Sequence, residues 1–163
     1  MPMKPKLAAL RREVAKLLAG APRAGQGAGW VALWRLQDWT ALVEESLPPD
    51  TPCRHYAATC FVLEKEAARF GIAGDPEFVA ALDELREAME RAANPPDGAT
   101  WQERDALQDA MREASVKPAM LVLDAMGVPP GPLGAHPPGG RPPRESAEFP
   151  AEWFREPAAE VAT

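Results

Sequence analysis

Cysteine is scarce in this chain, with two in 163 residues, and histidine is equally rare, also with two. So small a number cannot frame a disulfide scaffold. Cys53 and Cys60 fall on what reads as one helix, separated by a rise of about 10.5 Å. A bridge tolerates a Cα separation of roughly 7 Å, so no intrachain disulfide is expected, which suits a reducing compartment. Cys53, His55 and Cys60 also lack the recurrent ligand spacings of a zinc site, and His136 lies far along the chain. No metal and no other cofactor is expected.

Long apolar runs are missing too. None approaches the ~20 residues needed to span a bilayer. The apolar stretch near the N-terminus is cut by Arg11, Arg12 and Glu13, so a signal peptide is not expected. The expected location is cytoplasmic. No segment alternates as a strand does, and no phosphate-binding loop, dinucleotide fingerprint, nucleophile elbow or His-Glu-x-x-His motif occurs. An enzyme with an unrecognised site therefore ranks third among the functional readings.

Proline and acidic charge are what the chain has in quantity. Nine of its 19 prolines follow residue 128. This divides it into a helical domain at 1–127, a Pro/Gly-rich linker at 128–148 and a terminal aromatic segment at 149–163. Eighteen basic residues against 24 acidic ones give a net charge of −6. Residues 1–23 nevertheless carry six bases and one acid, while residues 73–97 carry two bases and seven acids. An acidic whole with one basic end does not match the footprint of a dedicated nucleic-acid binder.

Apolar residues recur at helical spacing wherever the chain is not punctuated by proline or glycine. A first helix is expected over 5–19, with Leu7, Leu10, Val14, Leu17 and Leu18 on one side. A Gly-rich linker follows at 20–29. The next helical stretch runs from Trp30 to Leu47, with a break near Gln37 if Asp38 caps a fresh helix. Thr51-Pro52 and Asp75-Pro76 each read as an N-cap followed by proline at the first helical position. Gly71-Ile72 reads as a glycine C-cap with its apolar follower. Thr100 and Glu103 form a capping box, and Pro118 is expected to kink that helix or open a short last one ending at Gly127. The sum is an all-α protein with five to six helices in an orthogonal or bundle-like domain, followed by a disordered Pro/Gly-rich tail.

Three constellations bear on function. Aromatics are absent from 102 to 148, and then Phe149, Trp153 and Phe154 come within six residues. A polar tail gains nothing from exposed aromatics unless something buries them. Pro150 can open a short helix with Phe149 and Trp153 on one side, a common groove-binding arrangement. The expected occupant is a protein partner, with docking on the chain's own body or on a second copy as the competing outcome. Lys4, Lys6, Arg11, Arg12 and Lys16 form the second constellation, able to contact phosphate. The outer side of a core-packed helix accounts for them more simply. The third is the set of paired acids, Glu44/Glu45, Asp83/Glu84/Glu87 and Asp105/Asp109, which alternate with arginines as a solvated helix face does. Trp34 is expected in the core, and Trp30 is left open. The leading expectation is a non-enzymatic adaptor or accessory protein whose body is a platform and whose aromatic segment docks a partner. A nucleic-acid-associated assembly or regulatory factor of a mobile element, working through the basic first helix, is the alternative.

Overall fold

A computed structural model describes residues 28–128, 133, 136, 137, 139–144 and 147–154. Four α-helices make up most of them: α1 (Ala28–Ser46), α2 (Arg54–Arg69), α3 (Pro76–Ala93) and α4 (Trp101–Ala125). A short 3₁₀ turn, Ala151–Phe154, closes the described chain, and no strand occurs among the described residues. The expected helix 5–19 and most of the linker 20–29 lie outside them.

The helices pair in chain order. α1 packs on α2 and α3 on α4, and α2 meets α4 across the middle. Leu85, Met111, Val62 and Val122 are all but fully buried where these layers meet. Phe70, Phe78, Leu82 and Trp39 extend the same core.

Most boundaries follow the local chemistry. Asp75 stands at the N-cap of α3 with Pro76 as its first residue. Thr100 caps α4 by accepting the Glu103 N–H at 3.1 Å, and Glu103 returns its carboxylate to the Thr100 hydroxyl at 3.3 Å. α2 ends in a Schellman motif, in which the Ile72 N–H reaches the Ala67 carbonyl at 2.8 Å and Gly71 takes φ +79°. α4 ends the same way, with Val128 bonded to Leu123 and Gly127 at φ +93°.

Four expectations are corrected. α1 has no break near Gln37, because Asp38 is buried facing Arg141 instead of capping a new helix. Gly29 belongs to α1 and not to the linker. α2 starts at Arg54 and not at Pro52: the Thr51 hydroxyl is spent on the Pro48 carbonyl at 2.7 Å, and Cys53 takes the cap position in a left-handed conformation. Pro118 neither ends α4 nor opens a new helix; it is fully buried inside an unbroken 25-residue helix.

The described residues beyond Val128 do not trail away as an unpacked tail. They form a strap along α1. Leu133 lies over Gly29, where an added Cβ would come within 2.5 Å of its methyl. The His136 ring sits 4.4 Å from Trp30 and 5.4 Å from Trp34. Arg141 pairs with Asp38, and Arg144 with Glu45 at 2.6 Å. The physical reason lies in α1, which is apolar on two sides. Leu36 and Val43 face the helical core, while the row of Trp30 and Trp34 needs a second cover.

Candidate functional site

The strap ends in a seat for Trp153 between α1 and α2. Trp153 is 4% exposed, and its indole N–H donates to Glu66 Oε1 at 2.7 Å. Glu66 continues the buried row Ala58–Val62 along α2 and is itself 0% exposed. A buried carboxylate is costly unless it is paired. Here Arg69, one turn on, donates to both of its oxygens at 3.2 and 3.4 Å.

Aromatic rings form the walls. Trp39 of α1 meets Trp153 edge-on at 5.2 Å, Phe149 stacks on it at 5.3 Å, and Phe61 of α2 stands at 6.2 Å. Edge-on and offset contacts of this kind add to the gain from burial. The strap's backbone is held at two points. Trp39 Nε1–H donates to the Glu148 carbonyl at 2.9 Å, and Lys65 Nζ donates to the Trp153 carbonyl at 3.0 Å. The rim is cationic: Arg69 lies 3.8 Å from Glu152, and Arg35 lines the same cleft.

Burial pushes the Glu66 carboxyl above its ordinary range, against the opposing pull of the Trp153 N–H and of Arg69. The negative charge of Glu152 adds to the upward shift. The indole N–H and the Arg69 guanidinium are the groups that favour its ionised, accepting form.

The aromatic residues singled out in the sequence are brought together at this seat, each in a different state. Trp153 is buried, Phe149 is half-buried, and Phe154 is 66% exposed beside Phe149 at 6.1 Å. Lys4, Lys6, Arg11, Arg12 and Lys16 lie outside the described residues. Glu66, Lys65, Arg69 and Trp39 were not singled out. One signal for Glu66 was available, an acid continuing the i, i+4 apolar row Ala58–Val62.

The other constellations make local contacts within the helical body. Cys53 and Cys60 are free thiols, directed at the Met89 carbonyl (3.5 Å) and the Met89 sulfur (3.7 Å). Burial pushes both thiols up, Cys60 to about 11, so neither presents a thiolate at neutral pH. His55 Nδ1 pairs with Glu44 at 3.0 Å. A cavity of about 450 Å³ adjoins Cys53, Arg54, His55 and Met111, but its thiol is unactivated. Arg86 pairs with Glu64 and Asp83, and Arg112 with Asp109 at 3.2 Å, as a solvated charged face does. Among the described residues, no three His, Cys, Asp or Glu side chains cluster as metal ligands would. No helix among them is long and apolar enough to cross a membrane. No protein-family model matches the chain, and no curated protein or solved structure is significantly similar to it.

Proposed function

We propose that the protein is a non-enzymatic adaptor or accessory protein, in which the helical body is a folded platform and the segment Phe149–Phe154 is the docking element. The observation that carries this reading is the Trp153 seat. There a fully buried carboxylate and two aromatic walls of the body, Trp39 and Phe61, answer one side chain of a short segment, whose own Phe149 stacks on it. That is how grooves recognise peptides: one deep aromatic anchor, with main-chain contacts fixing its register. The segment reaches the seat through a Pro/Gly-rich linker, which holds it at an effective concentration on the order of mM. A partner engages the segment in exchange for its own body. The two free thiols accord with a cytoplasmic setting.

The test is affinity purification from native lysate with the full chain and with a Trp153→Ala, Phe154→Ala chain. Bound proteins are identified by mass spectrometry, and nucleic acid by absorbance ratio. The reading predicts a protein partner whose recovery falls about tenfold with the double substitution. Equal recovery of one nucleic acid by both chains would contradict it and point to the basic N-terminal residues.

A further inference from the structure

The adaptor reading leaves open what the seat itself can recognise. Building on that reading, we propose that the groove between α1 and α2 is a peptide-recognition site selective for tryptophan. Its ligand in a partner protein is an acidic segment with phenylalanine four residues ahead of the tryptophan. The chain's own residues 148–154 are the resident competitor.

Selectivity for tryptophan comes from Glu66. Its carboxylate lies at the bottom of the seat, 0% exposed, and accepts the indole N–H at 2.7 Å. Phenylalanine would fill the aromatic walls but offer the carboxylate no donor. A site built around a buried polar group rejects the analogue that cannot pair with it. The spacing comes from the backbone. Trp39 holds the Glu148 carbonyl and Lys65 holds the Trp153 carbonyl, so Phe149 falls in place to stack on the indole. The preference for acid comes from the rim, where Arg35, Lys65 and Arg69 surround a segment carrying Glu148 and Glu152. Exchange concerns only the end of the strap, which makes a short 3₁₀ turn with Trp153 as its deep anchor and leaves Phe154 66% exposed. A second segment offering the same contacts therefore competes for the seat directly.

The test uses a fluorescein-labelled peptide of residues 145–156 and full-length protein, read by anisotropy. A full-length Trp153→Ala chain, whose seat is vacated, should bind it about tenfold or more tightly than the wild type, where the tethered segment competes. A peptide with Trp153→Phe should bind that chain at least about tenfold more weakly. A peptide with Glu152→Ala should lose a few-fold, and less at high salt. Should Trp153→Ala unfold the protein, the wild type supplies the second arm. Excess unlabelled peptide, at about mM concentration, must then displace the Trp153 indole resonance. No binding to a folded Trp153→Ala chain, equal binding of the tryptophan and phenylalanine peptides, or an unmoved Trp153 resonance would each overturn the proposal. Such a failure, with partner capture still dependent on the segment, removes the ligand class and leaves the adaptor reading standing. Peptide binding without any captured partner would do the reverse.

Discussion

Two buried acids, Asp38 on α1 and Glu66 on α2, are both answered by the C-terminal strap, through Arg141 and Trp153 respectively. A hydrogen bond to a charged group contributes about 1.5–3 kcal/mol, and a buried acceptor left without its donor costs as much. This makes Glu66 the residue on which the seat can be tested. Glu66→Leu strands the indole N–H and should cost about 1–3 kcal/mol by urea denaturation. Glu66→Gln keeps an acceptor for the indole and removes the buried charge, so it should be tolerated far better. The pH dependence has a definite sign. Burial holds the carboxyl above its ordinary 4.5, although Arg69 on the same helix opposes this and Glu152 from the strap reinforces it. Below about pH 4.5 the group is protonated whether the chain is folded or not, and no cost arises. As the pH rises through the elevated folded value, keeping the carboxylate ionised in the core costs stability. Relative to Glu66→Gln, the wild type should therefore lose ground as the pH rises from about 4.5 through the raised folded value. Parallel stability curves would refute that assignment.

At the scale of elements, caps decide where the helices begin, and they were only partly legible. Asp75-Pro76, Gly71-Ile72 and Thr100-Glu103 could be read because each motif is local: cap, proline or glycine lie within a few residues of one another. Thr51-Pro52 carried the same signature but failed. The Thr51 hydroxyl turns back to Pro48, and the chain bends once more at Cys53 (φ +49°) before α2 starts. The two threonines should accordingly differ on substitution. Thr100→Ala should lower stability by about 1 kcal/mol, whereas Thr51→Ala, at a turn outside the helix, should stay within about 0.5 kcal/mol. Equal losses in thermal unfolding would restore Thr51 as the cap. Pro118 was misread for a different reason. A proline inside a helix is normally disruptive, but this one is fully buried in α4 and held among core contacts that propensity does not register.

For the molecule as a whole, the decisive feature is the strap, and it was the least legible. An aromatic cluster after a proline-rich stretch announces that something will bury it. Nothing local says whether that surface belongs to a partner or to the same chain. The pairing joins residues about ninety positions apart, such as Lys65 with the Trp153 carbonyl. The one hint in α1 was its two apolar sides, the Trp30–Trp34 row beside Leu36 and Val43, which call for cover from two directions. Trp153 occupying its seat is the feature on which both the docking element and the groove depend. Nuclear Overhauser and hydrogen-exchange measurements on the indole N–H groups of the uniformly ¹⁵N-labelled full chain test this most directly. The predicted result is a slowly exchanging Trp153 indole N–H with cross-peaks to Trp39 and Phe149 ring protons, and a shift when Glu66 becomes Gln. A Trp153 indole resonance at the position of an unstructured peptide, exchanging freely and without those cross-peaks, would contradict the account.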